Sequence, residues 1–347
     1  MNVKLLESWS EVGEAQWHRL WATSTVKVPF LTWQWMTCWW AAFGEGSQLK
    51  LFRVTDDDDA LVGLLPLYED AHDKSLRLVG GVDVSDYLDL VVKRGCEERV
   101  WSALLEHLAA GRATLELHCV PAASPTLTVL PGLAERHGFS LAIEREERCP
   151  VIDLPNSWDG YLSSLSGKER HELQRKTRRL TRIVPEVNFR AQRTVEKLDD
   201  QMTAFSTLHR KSKRRKARFM DDRMERFFRR IAREFASLGW LCLWVLEVRG
   251  DPLAALFCFD DGQTVFLYNS GFDPGYAELA PGIVLTAHAI REAIAGGRQR
   301  FDLLRGEEPY KLQLGAKPED VMRITLAVSN QQLAISTNPR SVTEADG

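Results

Sequence analysis

The sequence has no CxxC pair. Its six cysteines, Cys38, Cys96, Cys119, Cys149, Cys242 and Cys258, are scattered, and most have apolar neighbours. That spacing excludes a disulfide framework and a zinc site. It predicts small core fillers in a reducing cytoplasm, with no metal. No apolar run reaches the roughly 20 residues that a membrane-crossing helix needs. Residues 1–17 carry charges throughout, unlike a secretory leader. An excess of either charge sign is missing too: 45 basic residues against 48 acidic leave a net charge of −3. No global field therefore draws the chain to nucleic acid or to a membrane. What is present is an ordinary globular composition, 44% hydrophobic and 27% charged, over 347 residues. That is enough apolar material for two cores, and the length predicts two domains.

Read in order, strands and helices alternate. A strand at 3–6 precedes helices at 14–21 and 32–43, the second carrying Trp33, Trp35, Trp39 and Trp40, a density that predicts core. Strands at 49–54 and 61–68 flank an acidic turn as a hairpin. Strands at 76–79 and 87–92, a helix at 97–110, a strand at 114–118, a helix at 127–137 broken by Pro131 and Gly132, and a strand at 139–144 complete a mixed α/β domain. Pro150 and Pro155 mark its end. The division expected is 1–150, 151–330 and a flexible tail at 331–347.

The second half reads more clearly. A helix at 156–165, capped by Asn156 or Ser157, leads into a basic helix at 168–183 that Pro185 ends. After a strand at 187–192 come two amphipathic helices. Val195, Leu198, Met202, Phe205 and Leu208 carry the first; Met224, Phe227, Phe228, Ile231, Phe235 and Leu238 carry the second. Strands at 241–248, 253–259 and 264–270 are joined by tight turns, which predicts an antiparallel meander. A helix opens at Pro281 and Gly282 and stops at Gly296 and Gly297. A strand at 300–304, a short helix at 309–314 and a strand at 322–328 follow.

Between the two amphipathic helices lies RKSKRRKAR, residues 210–218, read as a loop with seven basic residues and no acid. A solvated face is one reading. The other is contact with a phosphorylated or polyanionic acceptor, or with RNA. The stretch holds no aromatic residue, which argues against stacking on single strands.

The segment RFDLLRGEEPYK, 300–311, places Asp302 inside an apolar strand. A lone buried carboxylate there is costly, so it needs a cation or donors. Two roles stay open from the residues alone: a structural ion pair to Arg305 or Lys311, or a site at the strand's carboxyl end.

From residue 187 onward the order β-α-α-β-β-β-α-β-α-β resembles the GNAT acyltransferase fold, and the first half can be laid out the same way. The segments GLLPLYED (63–70), SDYLDLVV (85–92), Pro281 with Gly282, and FDLLRGEEPYK (301–311) resemble the CelD-like acetyltransferases associated with cellulose biosynthesis. The Fem-type aminoacyltransferases are similar more distantly: Asp302 and the Tyr310–Lys311 pair fall where they carry a strand-end aspartate and a Phe-Lys pair. The resemblance implies tandem GNAT-like domains, each a mostly antiparallel sheet flanked by helices, and transfer from acetyl-CoA as co-substrate to an amine or hydroxyl. It implies Asp302, Lys311 and Tyr268 as catalytic groups, with Asn269, Ser270, Gly282 and Ile283 on the donor. His209, Arg214, Arg215, Arg305, Glu307 and Tyr310 would border a small-molecule or saccharide acceptor, anionic where it meets the basic stretch. One departure stands out. The glycine-rich pyrophosphate motif of GNAT enzymes is missing between residues 271 and 282, where Asp273 and Glu278 would repel a pyrophosphate. Two alternatives follow: a Fem-type enzyme using aminoacyl-tRNA, or a non-catalytic binding subunit that keeps the fold.

Overall fold

The computed structural model describes residues 1–111, 114–184 and 186–329. Pro185, expected to end the basic helix, and the tail expected at 331–347 lie outside them. Two compact units divide the chain: Met1–Glu146 with the described residues from Val321 on, and Glu147–Asp320.

The first unit holds β1 (Asn2–Leu6), α1 (Glu14–Thr23), α2 (Trp33–Phe43), β2 (Gln48–Thr55), β3 (Leu61–Glu69), β4 (Leu76–Leu78), β5 (Val91–Val92), α3 (Glu97–Ala109), β6 (Leu115–Pro121), α4 (Pro125–Arg136) and the first part of β7 (Phe139–Asp153). Its strands run β1-β2-β3-β4-β6, antiparallel except for the parallel pair β4–β6. The chain's last strand completes this sheet, pairing antiparallel with β6 from Val321↔Pro121 to Leu326↔Leu115. Residues 321–328 therefore group here, whereas the sequence reading assigned them to the second domain. Helix α2 begins where the Thr32 side chain accepts the Trp35 N–H, and it buries Trp35, Met36 and Trp39 and sets Trp33 against Trp17 of α1, as the tryptophan density predicts. Helix α4 does not break at Pro131. That residue faces solvent, while Leu130, Leu133 and Ala134 are buried, so packing holds the helix despite one lost backbone bond.

In this unit β4 and β6 pair only at Leu76↔Leu115 and Arg77↔Glu116, and then part. Cys119, just beyond, takes a left-handed backbone, φ 61°. The parting is closed by the chain's own segment 79–90. The Leu88 N–H donates to the Cys119 carbonyl at 2.8 Å, the Trp35 indole to Ser85 Oγ at 2.8 Å, and Ser85 Oγ to the Gly80 carbonyl at 2.7 Å. The strand expected at 87–92 is thus only Val91–Val92. The preceding residues leave the pleat because buried Asp89 turns to the start of α4, where it accepts from Ser124 Oγ, from Thr126 Oγ1 and from the Leu90 N–H.

Burial pushes the Asp89 carboxyl up to about 6, against the pull of those three donors. The folded state then binds more protons than the unfolded chain between about pH 4 and pH 6. This group's contribution to stability therefore falls as pH rises through that window, by on the order of 3 kcal/mol. Asp89→Asn is expected to flatten that part of the stability profile. Urea midpoints at pH 4 and pH 7 that keep their wild-type difference in the variant would contradict it.

The second unit holds the rest of β7, then α5 (Trp158–Ser164), α6 (Gly167–Ile183), β8 (Val187–Gln192), α7 (Leu198–Ser212), α8 (Arg214–Phe219), α9 (Asp222–Ser237), β9 (Leu241–Val248), β10 (Asp251–Asp260), β11 (Thr264–Phe272), α10 (Pro281–Ala295), β12 (Arg300–Asp302) and α11 (Pro309–Gln313), before β13 (Lys317–Val328) leaves it. Strand order is β7-β12-β11-β10-β9-β8, again antiparallel except for one parallel pair, β11–β12. The meander β9-β10-β11 is the one the turns predict. Alternation sorts its side chains. Cys242, Trp244, Leu246, Leu256 and Cys258 join the core that α5, α6 and α10 cover. Phe257 and Phe259 meet Phe205, Phe228 and Phe235 of α7 and α9. All six cysteines are buried thiols. Helix α6 starts in a reciprocal cap between Ser166 and Glu169.

The stretch 210–218 is not a loop. Helix α7 runs on to Ser212, Lys213 is extended, and α8 follows. Arginine and lysine are good helix formers, and buried Met220 with Phe219 on the His209 and Phe228 rings anchors the far end. Nor does the strand at 300–304 reach its expected end. It stops at Asp302, because Leu304 is left-handed at φ 53°.

Candidate functional site

Strands β11 and β12 pair only at Thr264↔Arg300, Val265↔Phe301 and Phe266↔Asp302. Beyond Phe266 they part. The register of β11 on β10 jumps there, from Cys258↔Leu267 to Phe257↔Asn269, which leaves Tyr268 as an extra residue on β11. Such a bulge bends the strand away from its neighbour. Tyr268, Asn269 and Ser270 therefore lie on a stretch of β11 edge that β12 does not cover.

On the β12 side the chain is clamped. Asp302 Oδ1 accepts the Leu304 N–H at 2.8 Å, which fixes the left-handed turn, and the Leu303 N–H donates to the Pro150 carbonyl at 2.9 Å. Lys311 comes back to this strand end, as the sequence reading expects. Its ammonium donates to the Leu304 carbonyl at 2.9 Å and the Arg305 carbonyl at 2.7 Å, and pairs with Glu308 at 3.1 Å. An ammonium has three donors, so the protein itself occupies Lys311 fully.

On the β11 side stands a residue that sequence reasoning missed. Lys216, from α8, donates to the Ser270 carbonyl at 2.5 Å, with Ser270 Oγ at 3.4 Å. Burial first, then the charges of Lys213, Arg215 and Lys311, lower its ammonium to about 8, with only Glu308 acting the other way. Glu308 thus lies between two lysines. Burial raises its carboxyl, but Lys311 and then Lys216 bring it below the ordinary carboxylate range. The signal for Lys216 was helical spacing. Lys216, Phe219 and Met220 fall at i, i+3 and i+4, so one face of α8 turns inward, and reading the stretch as a loop hid that.

The other expected residues distribute as follows. His209 is buried beside the Lys216 charge, and both effects hold its imidazole down at about 3 against a bond to the Asn269 side chain. It is neutral at any working pH and supports Asn269 rather than titrating. The Tyr268 ring lies among Phe228, Phe257 and Phe259, with centroids 5.2–5.9 Å away. Arg214 and Arg215 are exposed on α8, and Glu307 pairs with Arg148 at 2.9 Å. Helix α10 begins at Pro281 with no side-chain cap, so the Gly282 and Ile283 N–H groups have no partner within the helix. Ile283 and Tyr310 line a cleft of about 360 Å³ with Leu173, Lys168 and Lys176 of α6. The two acids expected to repel a pyrophosphate are engaged: Glu278 with Arg179 at 3.2 Å, Asp273 with Lys211 at 3.5 Å and with the Gly275 N–H. Among the described residues no group of His, Cys, Asp and Glu could hold a metal ion.

Residues 167–312 match the family model described as acetyltransferase (GNAT) domain. The second unit has the GNAT acyltransferase fold. Solved structures extend the likeness to nearly the whole chain. FemX is 11% identical with a TM-score of 0.66, covering 97% of this chain and 100% of its own. A conserved protein of unknown function from Bacteroides thetaiotaomicron is 12% identical at TM-score 0.63, covering 94% and 100%. The C-terminal domain of a putative lysylphosphatidylglycerol synthetase from Agrobacterium fabrum is 11% identical at TM-score 0.54, covering 82% and 86%. A search of curated proteins gave no match. In this GNAT unit the family match takes in both walls of the parting, from Lys216 to Lys311. No helix of the described residues is long and apolar enough to cross a membrane.

Proposed function

We propose that the second unit transfers an acyl group from a thioester donor, acyl-CoA, to an amine or hydroxyl acceptor. The observation that carries this reading is the parting of β11 and β12 with a half-buried lysine, Lys216, bonded to the uncovered edge at Ser270. The edge of β11 from Tyr268 to Ser270, which β12 does not cover, suits an extended donor laid along the strand. The Gly282 and Ile283 N–H groups at the uncapped start of α10 suit its phosphates. Neutral Lys216 takes the proton from the attacking amine or hydroxyl. The acceptor's heteroatom bonds to the acyl carbon, the C–S bond breaks, and the thiol leaves. Lys311 and Asp302 position the wall of the cleft, and Tyr268 sets the bulge. By resemblance to the CelD-like family, the acceptor belongs to polysaccharide or cell-envelope metabolism.

A second reading takes aminoacyl-tRNA as donor. The likeness to FemX over both units favours it, as does the exposed row Lys168, Arg175, Arg178 and Arg182 on α6. Thiol release from acetyl-CoA with a panel of amines, run beside transfer from charged tRNA, separates the two. Transfer from neither, with no binding of acetyl-CoA, would leave a non-catalytic binding unit. In the active assay, Asp302→Asn is expected to lower kcat on the order of tenfold to a hundredfold with KM for the donor little changed, because the Leu304 turn loses its acceptor's charge. A variant that only melts earlier, with full turnover per folded molecule, would make Asp302 purely structural.

A further inference from the structure

The cations around the parting outnumber the acids that face them. Lys216 has Arg215 on α8 and Lys213 just before that helix, neutral His209 on α7 with Arg210 next to it in the chain, and Lys311 and Glu308 across the parting. The remaining neighbours on β11, Asn269 and Ser270, are uncharged. Arg210 is paired with Glu225 at 2.6 Å, and Lys311 has its three acceptors. Glu308 is the carboxylate that raises the Lys216 ammonium, and it already serves Lys311. Lys213, Arg214 and Arg215 are exposed and make no salt bridge among the described residues. Lys216 itself spends its bonds on a single residue, Ser270, and so keeps a donor for something else. A half-buried ammonium with three cations and one shared carboxylate acting on it is stabilised by an anionic ligand.

From this we infer that the acceptor carries a doubly charged oxyanion group, a phosphoryl or dicarboxylate group, which docks on Lys213 and Arg215 with Lys216 beneath it. This rests on the acyl-transfer reading of the same cleft and names the chemistry of its second substrate. The occupied site differs from the empty one in protonation. A dianion beside Lys216 favours its charged form, so binding draws a proton from solvent wherever free Lys216 is partly neutral. Neither near neighbour supplies that signal near pH 8, since Glu308 is already ionised and His209 already neutral.

The experiment is a pH-stat titration of the full chain with sodium sulfate, which stays fully ionised, and with sodium malonate. Sodium chloride at matched ionic strength is the control. At pH 8 we expect saturable uptake of up to about half a proton per chain, falling towards zero by about pH 6.5. Lys216→Met abolishes the uptake. Lys213→Ala with Arg215→Ala, both at the surface, weakens the half-saturating concentration about tenfold while the uptake at saturation remains. Response to sulfate alone points to a phosphoryl acceptor and response to malonate alone to a dicarboxylate. No uptake with either anion, or the same uptake in Lys216→Met, overturns the inference. Thiol release from acetyl-CoA, scored on the same preparations, reports on the acyl-transfer reading separately.

Discussion

Lys216→Met is expected to lower acyl transfer by two to four orders of magnitude, the range for a positioned proton-transfer group. The basic limb of the pH profile should change with it. Neutral Lys216 is the competent base, so the wild-type kcat/KM for the acceptor, which reports the free enzyme, should rise with pH and level off above about 8, where burial and neighbouring cations place this ammonium. In the variant that inflection should vanish. Stability supplies the control. The folded ammonium titrates below its unfolded value, so between about pH 8 and pH 10 the unfolded chain binds more protons. Below pH 8 the charged lysine therefore opposes folding. Methionine, similar in length and uncharged, should leave the melting temperature unchanged or raise it at pH 7. A variant that keeps full activity, or that retains the same inflection, would remove Lys216 from the chemistry. A variant that loses activity only in proportion to its folded fraction would do the same.

The second large effect is on the fold. Gly271 lies where α7 meets β11. A Cβ there would fall 2.3 Å from the His209 nitrogen and 2.6 Å from the Leu208 carbonyl carbon. Both are backbone atoms, so no rotamer change relieves the overlap. The helix has to move, and with it the bond from the Phe272 N–H to Ser212 Oγ at 2.8 Å and the support that His209 gives Asn269. Overpacking typically costs 1–3 kcal/mol. With rigid backbone on both sides, Gly271→Ala is expected to lose about 3 kcal/mol or more. Urea unfolding followed at the tryptophans measures it, and a midpoint within error of wild type would contradict the close approach. Acyl transfer per folded molecule should fall too, because α7 and α8 carry the residues that face the parting.

The order of elements in the second unit was legible because its apolar residues keep strict period. Met224 to Leu238 repeats at helical spacing, and the three strands from Leu241 to Phe272 are separated by turn residues that nothing else explains. The parting itself was visible only through resemblance, since a bulge at Tyr268 leaves no mark on periodicity. Two errors share one physical origin. At 87–92 and at 300–304, alternation suggests strands through Leu88–Asp89 and Leu303–Leu304. In both, a buried aspartate takes backbone N–H groups that a strand would have used, Leu90 by Asp89 and Leu304 by Asp302. Short-range capture of the main chain by a carboxylate overrides the pleat. The basic stretch failed differently. Its place between two amphipathic runs suggests a connection, although lysine and arginine are neutral to favourable in helices, and the inward residue of α8 is hidden among exposed neighbours. Grouping the last strand with the first unit could not be read at all, since strand partnership is not a local property.

Cys119 and Leu304 share a left-handed backbone just after a short parallel pairing, at φ 61° and 53°. The chain has thus made one gap twice and filled one of them from its own sequence. The two copies consequently live under opposite demands. Around Leu88 an apolar change that fits the space is acceptable, and what is punished is a void. Around Ser270 and Lys216 the demand is reversed: a bulkier side chain that packs well would stabilise the fold and close the gap on which the proposed transfer depends. Drift in the first copy should therefore run toward tighter filling, and in the second it should be held at residues that keep the gap open.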